Sequence, residues 1–531
     1  MNKYLGLSII AVGLALTSCD DFLDKMPDKR AEVNTVEKVN LLLTSAYASH
    51  NSIVMAEMAS DNAMDNGSLY TYDDRMQEES YLWKPITTEG NDSPKAFWDA
   101  CYGAVATANQ ALAAIDEMGN PAELQAQRGE ALLCRSWAMF QLANIFCLAY
   151  NPETADKDLG LPYPLAPETE LNPQYVRGTL AELYANIDKD LQEGLPLIDD
   201  NIYSVPKYHF NKSAAYAFAS RFYLYYQKWD EAIRCATQSL GSAPEKMMRD
   251  WAYLAGEMAS NFEVRSNQYI AASEACNLLI ETAYSSMVYW IGPYNLGRRY
   301  GHNYPAIAQK ETYRTAGIWG KYNSATDLWL SHSCWGYTEK LSISKYNGYF
   351  QYTDKVNGIG YRRNAIVRLD AGEVVLTRAE AYAMKQDYTN ALADINIWLK
   401  SNSRKSIQVT EDQVVNIYKE MPYMEDENQK PIPASTAEGA LGSPKKRLNP
   451  LGFTLAGETQ ENFIHCILHM RRCQTIQEGL RWMDVKRWGI EIAHNREGLA
   501  PDVLLKNDPR RAFQLPNDVI DAGLEANPRN D

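Results

Sequence analysis

The chain has 531 residues, 46% of them hydrophobic, with a formal net charge of −15 at pH 7. That length supports one large domain or two to three ordinary ones around a sizeable core. The acidic balance excludes nucleic acid as a general partner, since counterion release needs a basic surface, and Lys445-Lys446-Arg447 and Arg471-Arg472 are too short to supply one.

The N-terminus carries Lys3, an apolar run from Leu5 to Leu16 and the tetrad Leu16-Thr17-Ser18-Cys19. A basic tip, a short apolar core and small residues before a cut describe a secretory signal peptide. The run is too short to cross a bilayer, which takes roughly 20 apolar residues. Leu-Thr-Ser-Cys resembles the bacterial lipobox, so residues 1–18 are expected to be removed. Cys19 is then the lipidation site, and residues 19–35 form a lipidated tether. No later run approaches a membrane span, and no series of ten-residue alternating segments marks a membrane β-barrel.

Periodicity predicts a helix over 36–50 and then a loop over 60–91 that carries Tyr70, Tyr72, Tyr81 and Trp83. Helices follow at 97–118 and 122–146, separated by Gly119-Asn120-Pro121, and at 179–195, 212–227 and 229–240. Ser220, Tyr223, Ala232 and Ala236 recur as Ala379, Tyr382, Ala391 and Ile395, offset by 159 throughout. Small residues at that spacing let two antiparallel helices approach closely, the logic of tetratricopeptide pairs. With weaker pairs at 97–146 and 179–228, the fold expected is mainly α. It is a tetratricopeptide-like scaffold of about four helix pairs with long irregular insertions of loop and short strand.

The first insertion spans about 245–365. From Tyr284 to Tyr361, 17 of 78 residues are aromatic, about twice the 11% of the whole chain, and they are mixed with Gly, Asn, Ser and Arg. That mixture makes poor core and poor helix. A second loop-rich insertion covers about 403–455, and helix returns at 461–479. The scaffold is thus assigned to about 36–245, 365–402 and 461–490, within a single domain over 36–531.

Of the nine cysteines, eight remain beside Cys19, and no CxxC occurs. Most sit in apolar helical patterns, where a thiol acts as a small hydrophobe. Cys466, His469 and Cys473 share a helical face with zinc-like spacing, but packing explains them better and no metal site is assigned. Asp61, Asn62, Asp65, Asn66, Asp73 and Asp74 resemble a calcium loop superficially. Ala63 breaks the ligand pattern, so an Asx-capped turn is the better account and calcium the alternative. No GxSxG, HExxH or phosphate-cradling glycine loop is present. Asp484 and Glu478 stand beside arginines, which favours ion pairs over acid–base catalysis.

Five stretches, "SCDDFLDKMP", "MASDNAMDNG", "RGEALLCRSWAMFQLANIF", "RLDAGEVVLTRAEAYA" and "RRCQTIQEGLRWMDVKRWG", together resemble the landmarks of SusD/RagB-type outer-membrane lipoproteins. They run in the family's order along nearly the whole mature chain. Two departures occur. Cys473-Gln474 stand where a second acid is common, and the chain ends Asn527-Pro528-Arg529-Asn530-Asp531 rather than Asn-Pro-Gly-Tyr. The resemblance implies nutrient binding at the cell surface, a SusC-like TonB-dependent transporter as partner, and export to the outer face signalled by Asp20-Asp21. It implies binding without catalysis and without a cofactor.

The ligand expected is an oligosaccharide. Sugar C–H faces stack on electron-rich rings, and burying about 100 Å² at roughly 25 cal/mol per Å² gives about 2.5 kcal/mol gross per ring. Candidate platforms are Tyr70, Tyr72, Tyr81, Trp83, Trp290, Tyr294, Trp319, Tyr322 and Trp335, with Asn295 and Arg298 as hydrogen-bonding partners. Arg299 is a further candidate in the same stretch. The alternatives are a peptide cargo, as in RagB-type relatives, a surface-tethered glycoside hydrolase, and a pure scaffold.

Overall fold

The computed structural model describes residues 32–71, 74–170, 173–256, 261–292, 294, 297–320, 327–337, 340–435 and 442–529. The signal peptide, Cys19, Tyr72, Asp73, Asn295 and Tyr322 lie outside them.

Helix α1 (Val36–Leu43) starts at Thr35, whose hydroxyl accepts from the Lys38 amide, and α2 is Ile53–Ala59. The expected single helix over 36–50 therefore stops early, and Asn51 caps the second by accepting from the Ile53 amide at 3.0 Å. The loop after α2 contains strand β1 (Met64–Asp65) and a further helix, α3 (Arg75–Tyr81). The long pair α4 (Pro94–Glu117) and α5 (Gln125–Phe146) follows, with α6 (Leu180–Gly194) lying against α5. The first repeat pair is α7 (Lys212–Tyr225) with α8 (Trp229–Leu240), and the second follows the first insertion.

The first insertion contributes α9 (Trp251–Gly256), α10 (Phe262–Tyr269), strand β2 (Asn277–Tyr284), the single turn α11 (Met287–Trp290) and β3 (Tyr300–Gly301). It continues through β4 (Cys334–Tyr337), β5 (Lys340–Ile343), β6 (Tyr349–Asp354) and β7 (Ile359–Asp370). Strands β2, β7 and β6 form one antiparallel sheet in that order, with β6 at an edge. Strand β7 runs straight into α12 (Ala371–Met384), with Asp370 as N-cap. Arg249 pairs with Asp370 at 2.9 Å, and Gln474 donates to it at 2.9 Å. The insertion's sheet is thereby fastened to the scaffold where the two meet.

Helix α13 is Tyr388–Asn402, and α14 (Glu411–Glu420) occupies part of the segment expected as loop. A capping box between Thr410 and Gln413 starts α14, and Val414 and Tyr418 bury its inner face. Helix α15 (Glu458–Thr475) corresponds to the helix expected over 461–479, and a further helix, α16 (Leu480–Arg487), follows it. The break falls at Gly479 (φ +78°), where a Cβ would meet Ala56 and Ile53 at 3.2 and 3.3 Å. The hairpin β8 (Ile492–Arg496) and β9 (Leu499–Leu504) follows.

The repeat positions do the work their spacing predicts. Ser220, Ala232, Ala236, Ala379, Ala391 and Ile395 are all buried, and α12 packs on α7 and α8 as well as on α13. The two copies, far apart in sequence, are neighbours in space.

A buried knot of charge ties the ends of the chain together. Arg481 grips Asp61 through two bonds of 2.7 and 2.8 Å, Lys446 reaches it at 3.1 Å, and Arg472 bonds Asn62 at 2.9 Å and pairs with Glu311. Burial alone would raise the Asp61 carboxyl, but Arg472, Arg481 and Lys446 hold it well below the usual carboxylate range. Beside it Asp484 binds Arg471 and Arg487, and Arg487 pairs with Glu380 at 2.8 Å. The "RRCQTIQEGLRWMDVKRWG" stretch is thus a clamp joining the first loop and both insertions to the helices.

Candidate functional site

Helix α10 begins at Asn261, which accepts from the Glu263 and Val264 amides, and it buries Arg265, Ser266 and Tyr269. Its other side leaves Glu263 and Asn267 in solvent and Phe262 half-buried. In α11, Met287 and Val288 take the core, so Tyr289 and Trp290 emerge half-buried on the opposite side. The Tyr294 amide bonds back to the Val288 carbonyl at 3.0 Å, which folds Tyr294 over the same surface.

These elements build a continuous aromatic group. Tyr294 stacks on Tyr289 (centroids 5.4 Å, planes 28° apart) and meets the edge of Phe262 at 5.8 Å. Phe262 in turn meets Trp335 at 5.6 Å, edge to face. Tyr294 is 39% exposed and Trp335 37%, so both keep ring surface open to solvent. Contacts with Phe262 brace both rings from the side of the protein. Arg298 lies over Trp290 at 5.9 Å and donates to the Tyr289 carbonyl.

Polar groups frame the rings. The Tyr294 hydroxyl donates to Asn347 at 3.1 Å, and the Tyr349 hydroxyl donates to Asn267 at 2.6 Å. Burial, with the Glu263 carboxylate adding to it, raises both phenols above their ordinary range. They therefore remain neutral hydrogen-bonding groups at physiological pH. Strand β6 extends the surface, since Phe350 and Tyr352 are exposed and in contact at 4.9 Å.

The first loop joins the same region. Asn66 bonds the Arg298 and Arg299 carbonyls at 2.9 and 2.7 Å and accepts from Asn303 at 3.1 Å, while Arg299 pairs with Asp65 at 3.1 Å. Tyr70, half-buried, sits on this anchored loop. Of the residues expected from sequence, the structure brings Trp290, Tyr294, Arg298 and Trp335 together and sets the Tyr70 loop against the Arg298 strand.

Three expected platforms are elsewhere. Tyr81 is fully buried, stacked on His494 at 4.1 Å with its hydroxyl bonded to Asn495. Trp83, 5% exposed, stacks on the other side of His494 and donates to the Ala59 carbonyl at 2.8 Å. Trp319, 2% exposed, packs on His469 at 4.3 Å. Each fills the junction between insertion and scaffold and has no free face. Phe262, Tyr289, Tyr349, Phe350 and Tyr352 belong to the same aromatic surface and were not among the residues expected from sequence. The alternation Phe350-Gln351-Tyr352-Thr353 was the available signal for Phe350 and Tyr352.

The residues weighed for metal are engaged by protein. His469 bonds Tyr418 at 2.9 Å and the Thr312 carbonyl at 3.1 Å, and burial takes its pKa down to about 3. Asp61 and Asp65 face arginines. Among the described residues no group of three His, Cys, Asp or Glu is placed to hold a metal ion. Glu478 pairs with Lys345 at 2.8 Å.

Comparison with known proteins starts from residues 21–224, which match a family described as "SusD-like_3: Starch-binding associating with outer membrane". More than nine-tenths of the chain superposes on solved SusD superfamily structures. A SusD superfamily protein from Bacteroides vulgatus matches with a TM-score of 0.63 at 17% identity, over 93% of this chain and 98% of that one. Residues 21–224 are thus similar to that family, and the fold is the one seen in SusD superfamily structures. A SusD superfamily protein from Bacteroides thetaiotaomicron gives 0.62 at 17% identity, over 93% and 100%. A SusD-like carbohydrate binding protein from Bacteroides vulgatus gives 0.53 at 16% identity, over 91% and 93%. At these identities the solved structures establish the fold. No curated protein matches the sequence significantly. The SusD-like family name carries outer-membrane association, and among the described residues no helix is long and apolar enough to cross a membrane.

Proposed function

We propose that the mature chain is a lipoprotein anchored through Cys19 at the outer face of the outer membrane. There it captures an oligosaccharide on the face around Tyr294 and Trp335 and delivers it to a SusC-like TonB-dependent transporter. The observation that carries this reading is the exposed pair Tyr294 and Trp335, both braced by Phe262 and bordered by amide and hydroxyl groups. Rings held at fixed spacing with open faces suit stacked sugars, and the neighbouring polar groups suit their hydroxyls. Two or three such platforms give a weak site after ordering costs, appropriate to a protein that must release its cargo.

The reading involves no bond-making. Asp484 and Glu478, the carboxylates singled out from sequence for acid–base work, are held in buried ion pairs. Titration calorimetry of the mature chain against a glycan panel tests capture. A binding glycan is expected, together with at least a tenfold loss in the Tyr294→Ala/Trp335→Ala variant at unchanged melting temperature. Binding untouched by that variant overturns the site, and turnover of the glycan by purified protein overturns the non-catalytic reading. For the anchor, Cys19→Ala should bind normally in solution and fail to support growth on the ligand.

A further inference from the structure

Most of this protein's arginines are spent. Arg135, Arg221, Arg249, Arg378, Arg471, Arg472, Arg481 and Arg487 all close on carboxylates. Arg362 differs from all of them. It is exposed on β7, and its guanidinium lies 4.2 Å from the centre of the Tyr289 ring. Among the described residues its side chain has neither an ion-pair partner nor a hydrogen bond to protein, although a guanidinium carries five N–H donors.

Its position is the informative part. Arg362 faces Phe350 directly across the β6–β7 ladder, so the two side chains share one face of the sheet. Gly360, two residues back, shares that face too. A Cβ there would come within 2.8 Å of the Phe350 ring, so its lack of a side chain lets the ring lie over the strand. On its other side Arg362 covers Tyr289, the ring on which Tyr294 stacks. The guanidinium therefore sits inside the aromatic run, between Tyr294–Tyr289 and Phe350–Tyr352. Of the other charges around this run, Arg298 lies over Trp290 and Glu263 stands at the far end, beside Tyr294 and Tyr349. Arg363 points to the opposite face, where it bonds Gln351 and Thr282, and Asp354 is turned into the hairpin tip by Val356 and Asn357.

We propose that the ligand is an acidic oligosaccharide, with a uronate carboxylate placed on Arg362 while neighbouring sugar rings stack on the flanking aromatics. A planar guanidinium already held flat on a ring loses little freedom when it forms a bidentate pair with a carboxylate. Its position in the run requires the acid on an internal sugar, with stackable rings to both sides. On a chain of net charge −15 an acidic ligand is otherwise repelled, so a guanidinium with no carboxylate among the described residues selects for position as well as for charge. This inference rests on the oligosaccharide reading above.

The test is calorimetry of the mature chain against matched acidic and neutral oligosaccharides. Oligogalacturonates, hyaluronan oligomers and alginate oligomers are set against malto-, galacto- and xylo-oligosaccharides, with tetra-aspartate as a peptide control. An acidic glycan should bind at least tenfold tighter than every neutral one and weaken several-fold between 50 and 500 mM salt. Arg362→Gln should remove that preference while Arg362→Lys keeps part of it, both variants melting with the wild type. A neutral glycan binding as tightly as the acidic ones, or Arg362→Gln weakening neither class more than the other, overturns the acidic-ligand proposal and leaves the oligosaccharide reading standing. Tetra-aspartate binding while no glycan binds overturns both.

Discussion

Two regions of this protein hold arginine and aromatic residues at close quarters and put them to opposite use. In the clamp formed by α15 and α16 every arginine meets a carboxylate in the dry interior, and Trp482 and Trp488 are fully buried beside them. On the face built by α10, α11, β4 and β6, Tyr294, Trp335, Phe350 and Tyr352 stay open to water, and Arg362 has no carboxylate among the described residues. The clamp is the most recognisable stretch of the sequence, yet its chemistry is internally satisfied and holds the loops in place. The face has a loose, irregular sequence and keeps its interactions available for something outside the chain.

The contrast can be broken most forcefully in the clamp. Asp61→Asn leaves Arg481 buried without its counter-charge and Arg472 and Lys446 with Glu311 alone, and should cost about 3–5 kcal/mol, read as a lower denaturant midpoint. Trp319→Ala should cost a comparable 3–5 kcal/mol by opening a cavity against His469 and Trp398, without a separate effect on ligand affinity in the folded fraction.

Acid should separate the regions next. Burial depresses His469 to about 3 and His494 to about 4, each below the ordinary value of 6.5. The unfolded chain takes up those protons first, so their contribution is complete above pH 6.5 and is lost as pH falls towards 4. The expected slope is up to about 1.4 kcal/mol per pH unit for each histidine. Urea melts at pH 7.0, 5.5 and 4.5 check this; stability unchanged across that window would contradict the buried, neutral assignment of both rings.

On the face the same kind of change should hardly register in stability. Tyr352→Ala and Trp335→Ala should each stay within about 0.5 kcal/mol of wild type by urea melting. If Trp335→Ala unfolded the protein as Trp319→Ala is expected to, the division between clamp and face would fail.

The helical scaffold was legible because its signal is local. The 159-residue offset between Ser220-Tyr223-Ala232-Ala236 and Ala379-Tyr382-Ala391-Ile395 comes from helix periodicity and the need for small residues where helices touch. The short helices α3 and α14 were hidden in polar, turn-rich stretches, where a cap and one buried face suffice to form a helix. The site was legible only in part. Trp83, Trp319 and Trp335 all have polar residues nearby in sequence, and which of them reaches solvent is decided by chain segments 150 or more residues away. His494 closes over Trp83, and His469 closes over Trp319. Arg362 looked like any charged residue on a strand, because the ring that its guanidinium covers, Tyr289, lies 73 residues away.

Hydroxyl-radical footprinting of the mature chain, with and without the oligosaccharide that binds it most tightly, tests the central claim most directly. The account predicts protection of Tyr289, Trp290, Tyr294, Trp335, Phe350 and Tyr352 on binding, with Tyr81, Trp83 and Trp319 unreactive in both states. Protection confined to surfaces away from α10, α11, β4 and β6, with Tyr294 and Trp335 as reactive as in the free protein, would contradict it.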